Sequence, residues 1–124
     1  ERNIHLMHGN IGAYIAKHQY DIQDEDVLNA ISNHTLGRNN MSDLEKIIYL
    51  ADIIEPNRTF HSKLQELRQL SYTNLEEAMK VALYSNVVCL TAKNKEIHPI
   101  IYSILEEYKE IEHTEGINEP IRKI

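Results

Sequence analysis

Three side chains in this sequence combine metal-ligand chemistry with a spacing that could bring them together: His8, His34 and Asp52, 26 and 18 residues apart. Neutral imidazole and carboxylate are the usual donors to Zn, Fe, Mn and Co, and donors scattered over several helices are a common way to build an open catalytic centre. Asp52 interrupts the apolar run from Lys46 to Arg58. An ionised acid buried there without a partner would be costly, so Asp52 is expected either to ligate a metal or to cap and bond nearby backbone groups. The chain has seven histidines. An isolated histidine on a helix is commonly a hydrogen-bonded surface residue, which is the reading for His5, His18, His61 and His113.

The elements that must position these groups are helical. Leu, Ile, Glu, Lys and Ala are plentiful against four glycines and three prolines, a composition that favours helix. From His8 to about Tyr20, Ile11, Tyr14, Ile15 and His18 recur at helical spacing, with Gly12 allowing close approach by a neighbour. A second helix follows Asp24, its acidic first turn suiting the N-terminal dipole, and ends near His34. Ser42 and Glu45 form a capping box for a third, which Pro56 stops after Glu55, so Asp52 falls in its last turn. A shorter helix is expected from Ser62 to Tyr72. A capping box at Thr73 and Glu76 should open a long one whose apolar period includes Leu75, Ala78, Met79, Ala82 and Leu83. Pro99 suits the first position of a last helix, and the tail from His113 to Ile124 is expected to lie loosely on the surface.

At 124 residues and 42% hydrophobic content the chain is long enough for one domain with a core. A net charge of −6 with a pI near 5.6 offers no basic field for a nucleic-acid backbone. No apolar stretch approaches the roughly 18 residues needed to cross a bilayer, so no membrane is expected as a partner. The single cysteine, Cys89, sits in an apolar segment and reads as a small core residue, in keeping with a reducing, cytoplasmic setting.

The words around the three candidate ligands carry more information than their spacing. His8–Gly9, His34–Thr35–Leu36–Gly37–Arg38, Glu45–Lys46 and Leu50–Ala51–Asp52–Ile53–Ile54–Glu55–Pro56–Asn57–Arg58 closely resemble, in order and spacing, the bacterial HD-domain family of symmetrical bis(5′-nucleosyl)-tetraphosphatases. Ile97–His98–Pro99 looks like a further landmark, so the resemblance runs from about Leu6 to Pro99. It implies an all-α, HD-domain-like helical bundle over residues 1–112. It also implies a dinuclear divalent metal centre, commonly of iron, with manganese or cobalt the alternatives, that hydrolyses diadenosine tetraphosphate to two ADP. By the same resemblance His8 and His34 would ligate one metal, and Asp52 would be the closing catalytic carboxylate on the other. Arg38 and Arg58, each a few residues past a ligand, are placed to hold polyphosphate oxygens, since guanidinium forks match phosphate geometry. Lys46 is read either as assisting them or as a solvated surface lysine. Thr35 and Gly37 would shape the loop that presents Arg38. His98 either approaches substrate or caps the last helix.

One part of the family pattern is missing. None of the seven histidines is followed by aspartate, whereas the family uses an adjacent His–Asp pair. With no initiator Met, the chain reads as the C-terminal portion of a longer enzyme, expected to be inactive alone and to dimerise, aggregate or need its missing part. An HD-type hydrolase of another nucleotide and a non-catalytic helical scaffold are the alternatives.

Overall fold

A computed structural model describes residues 7–54 and 64–118, with side chains as far as residue 109. His5, Pro56, Arg58 and His61 lie outside the described residues. Among those described, six helices follow one another without a strand: α1 His8–Gln19, α2 Glu25–Ser32, α3 Asp43–Ile53, α4 Leu64–Thr73, α5 Leu75–Ala92 and α6 Pro99–Asn118. They pack as a bundle in which α2 lies between α1 and α3, α5 between α3 and α6, and α4 against α5 and α3.

Short polar side chains start these helices. The Asp24 carboxylate accepts from the backbone N–H groups of Asp26 and Val27 ahead of α2. Both halves of the Ser42–Glu45 capping box form. The Glu45 N–H donates to Ser42 Oγ at 3.2 Å, and Glu45 Oε1 accepts from the Ser42 N–H at 3.0 Å. The long helix begins one residue later than its expected box. Asn74 is its cap, accepting from the Glu77 N–H at 3.1 Å. Thr73 instead closes α4 by bonding back to the Gln69 carbonyl, a local bond that competes with capping. Helix α6 continues through Asn118, past His113 where the loose tail was expected. Leu105, Glu106, Glu107, Lys109 and Glu110 before it are good helix formers, and each residue added to a formed helix gains a backbone bond.

Helix α5 is the spine. Ala78, Met79, Ala82 and Leu83 have no exposed surface, and they pack with Tyr49 and Leu50 of α3, Leu67 of α4 and Ile104 of α6. Burial pushes the Tyr49 hydroxyl up to about 12 and that of Tyr108 higher still, so both stay protonated. The outer faces of α1 and α3 are left apolar and open, with Ile11, Tyr14 and Ile15 on one and Ile47 and Ile48 on the other.

Candidate metal centre

His8 opens α1, and His34 lies in the turn just after α2. What lets them meet is Gly9. A β-carbon there would fall 2.5 Å from the Ser32 carbonyl oxygen and 3.1 Å from that of Ile31, so the start of α1 can rest on the last turn of α2 only without a side chain. Gly12, expected to be the point of close approach, would make only an ordinary 3.4 Å contact with Ile31. A bond between the Ser32 hydroxyl and the Asn10 side-chain oxygen ties the same crossing.

The geometry at this crossing suits metal chemistry. A carbonyl oxygen only accepts, so the 2.7 Å contact of His34 Nδ1 with Ile31 O places a proton on Nδ1. A neutral His34 then carries its lone pair on Nε2. That Nε2 lies 3.0 Å from His8 Nε2, with the rings edge to face at 71°. Thr35 Oγ1 is also 3.0 Å from His8 Nε2. Two imidazole nitrogens that each lie about 2.1 Å from one ion, about a right angle apart, are themselves about 3 Å apart. The pair therefore fits two neighbouring positions around a single cation.

Asp52 is in the last turn of α3, as its spacing requires, but it is exposed. The apolar run is amphipathic and not a buried block. Glu45, Lys46, Tyr49 and Leu50 are covered, while Ile47, Ile48 and Ala51 are open. Residues 45, 49 and 52 share a face by period, and its coverage stops at Tyr49. Among the described residues no three His, Cys, Asp or Glu side chains gather as a metal-holding group, so Asp52 is not brought to the histidine pair.

Arg38 makes a bidentate pair with Glu45, Nε to Oε2 and Nη2 to Oε1, both at 2.7 Å. The arginine is 43% exposed and the glutamate 1%. This pairing leaves three of the five guanidinium N–H donors for other partners. Gly37, at φ 80° and buried, lets the chain turn between Thr35 and Arg38, where a β-carbon would crowd Met41 and Ile104 at 3.3 Å. Lys46 is not on a solvated face: it is 9% exposed, and its Nζ is bonded to Glu76 Oε2 of α5 at 2.5 Å. The His98 ring is a cap, its Nδ1 accepting the Ile100 N–H at 3.1 Å.

Two contributors have no clear mark in the sequence. Gly9 is legible only as a glycine beside a histidine. The pairing of Glu45 with Arg38 spans a loop, where no periodicity signals a contact.

Residues 1–57, the part of the chain that carries both histidines of the crossing, match the HD domain. The chain is 42% identical over 99 residues to the symmetrical bis(5′-nucleosyl)-tetraphosphatase of Bacillus subtilis, covering 80% of this chain and 53% of that protein. Against the protein of the same name from Halalkalibacterium halodurans it is 47% identical over 94 residues, covering 76% of this chain and 50% of that one. The chain thus spans about half the length of the curated relatives it matches. Among solved structures it resembles a predicted HD superfamily hydrolase involved in NAD metabolism from Clostridium acetobutylicum. That match has a TM-score of 0.82 at 40% identity and covers 88% of this chain and 57% of the other.

Proposed function

We propose that this chain supplies part of the metal site and the phosphate-binding loop of a metal-dependent phosphohydrolase that cleaves diadenosine tetraphosphate symmetrically to two ADP. The observation that carries the proposal is the 3.0 Å approach of the two Nε2 atoms, with the His34 proton held on Nδ1 by the Ile31 carbonyl. Relatives named for this activity align over most of the chain and support the substrate assignment.

In this reading His8 and His34 hold one divalent ion and Asp52 serves a second, the ions being iron, with manganese or cobalt the alternatives. When bound, such ions act as Lewis acids on phosphoryl oxygens and make water a stronger nucleophile at neutral pH. Arg38 offers its remaining N–H donors to the polyphosphate while Glu45 keeps its fork oriented, and Arg58 assists from beyond the described residues. Thr35 and Gly37 shape the loop between ligand and arginine. Lys46 and His98 act as supports, their polar atoms engaged by Glu76 and by the Ile100 N–H. The functional unit proposed is residues 1–112, working in the cytoplasm.

The test is product analysis on the whole protein that carries this chain, with diadenosine tetraphosphate as substrate and metal added and then chelated. ADP as the only nucleotide product, lost in chelator and in His34→Ala, is expected. AMP with ATP, or turnover indifferent to chelator, refutes the assignment. Parallel assays with a nucleoside triphosphate and a cyclic nucleotide separate it from an HD hydrolase of other specificity.

A further inference from the structure

Beyond the histidine pair lies a carboxylate with every acceptor position taken. Glu45 Oε1 accepts from Arg38 Nη2 at 2.7 Å and from the Ser42 N–H at 3.0 Å. Its Oε2 accepts from Arg38 Nε at 2.7 Å and from Asn33 Nδ2 at 3.2 Å. A carboxylate has about four lone-pair sites, and here four donors fill them. Asn33 immediately precedes His34, and its Nδ2 also reaches the Asn29 carbonyl at 2.9 Å, so the side chain links the end of α2 to Glu45. The turn from Asn33 to Arg38 is therefore fastened at both ends to one buried group on α3, and His34 lies inside it.

We infer that Glu45 is a positioning residue: by binding Asn33 and Arg38 together, its carboxylate fixes the turn that aims His34 Nε2 at His8 and sets the direction of the Arg38 fork. The inference rests on the metal reading for its role in function, but the placement of His34 can be observed without metal. Glutamine at position 45 keeps the shape and replaces one acceptor oxygen with an amide donor. Whichever oxygen is replaced, that amide faces two existing donors. The turn must then release at least one of its fastenings.

The experiment uses the full chain, metal-free, with long-range 1H–15N spectra of the imidazoles to read the His34 tautomer in wild type, Glu45→Gln and Asn33→Ala. The alanine variant keeps the Arg38–Glu45 pair and cuts only the link to the turn, so it remains informative if Glu45→Gln folds poorly by circular dichroism. Wild type is expected to show His34 as a single Nδ1–H tautomer, and both variants a mixture of tautomers. Cobalt(II) titration of the same samples is expected to show affinity about tenfold weaker in each variant, in the range typical of lost outer-shell partners. An unmixed His34 tautomer in a folded Asn33→Ala variant, with cobalt affinity within twofold of wild type, overturns the inference. If the tautomer mixes in the variants but wild type binds no cobalt, the positioning role stands and the metal reading falls.

Discussion

His8 Nε2 and His34 Nε2 lie 3.0 Å apart, although the rest of α1, a connecting turn and all of α2 intervene. Neither histidine creates that contact. It follows from the absent side chain at residue 9, where the nearest obstacle to a β-carbon is backbone, which cannot rotate away.

Gly9→Ala should therefore force α1 off α2 and cost about 1–3 kcal/mol, the usual range for overpacking a close contact. Gly12→Ala, whose β-carbon would meet only the Ile31 side chain at 3.4 Å, should be neutral or gain up to about 1 kcal/mol from helix propensity. Urea unfolding of the two variants side by side checks this, and equal midpoints would show that the crossing is not tight in solution.

Acid should weaken the protein through Glu45. Hydrogen bonds from Arg38, with help from Ser42 and Asn33, hold its carboxyl at about 2, below the ordinary 4.5, against the opposing effect of burial. The folded state thus binds this proton less readily than the unfolded chain. The stabilisation is complete above pH about 4.5 and is lost as pH falls from there through about 2. With Arg38 half-exposed it amounts to roughly 2 kcal/mol. The gap in urea midpoint between wild type and Glu45→Gln should close over that window, and a gap independent of pH would contradict the pairing.

Lys46→Met should cost about 1 kcal/mol, because it strips Glu76 of its closest cation and leaves a carboxylate whose other oxygen already has no hydrogen-bond partner among the described residues. Adding Glu76→Gln should recover part of the loss. A substrate-side lysine would behave differently, raising the Michaelis constant with stability unchanged.

The 124-residue chain alone should bind at most one ion, weakly, and hydrolyse no diadenosine tetraphosphate. His8→Ala and His34→Ala should each abolish that binding. Asp52→Asn, at an exposed position, should leave stability within about 0.5 kcal/mol. In the whole protein the same substitution should abolish turnover. Metal analysis showing two tightly held ions on the isolated chain would mean that ligands beyond these three complete the site.

The helices were legible wherever period and cap agreed. Ser42 and Glu45 marked the start of α3 correctly, and Pro99 the start of α6. The cap of α5 was misplaced because Thr73 and Asn74 both have capping side chains, and only the packed structure shows Thr73 spent on Gln69. The histidine pair could be suspected from its words, but the burial expected of Asp52 failed. A run of apolar letters does not reveal which turns of a helix a neighbour covers, and α3 is open at Ile47, Ile48 and Asp52. The carboxylate partners of Lys46 and Arg38 lie on other elements, beyond the reach of local patterning.

Among the described helices α1 packs against α2 alone. A helix held by one neighbour opens more readily than a spine such as α5, whose exchange-protected amides report the unfolding of the whole bundle. The two histidines face each other only while α1 is docked, so the affinity of the proposed site for an ion would be the intrinsic value multiplied by the docked fraction. An ion held by the proposed pair would in turn act as a clasp, its binding free energy adding to the stability of a docked α1. Amide exchange in α1 should slow on metal addition while exchange in α5 barely changes, and a mutation that loosens α1 anywhere along its length should read out as weaker metal binding without touching a ligand.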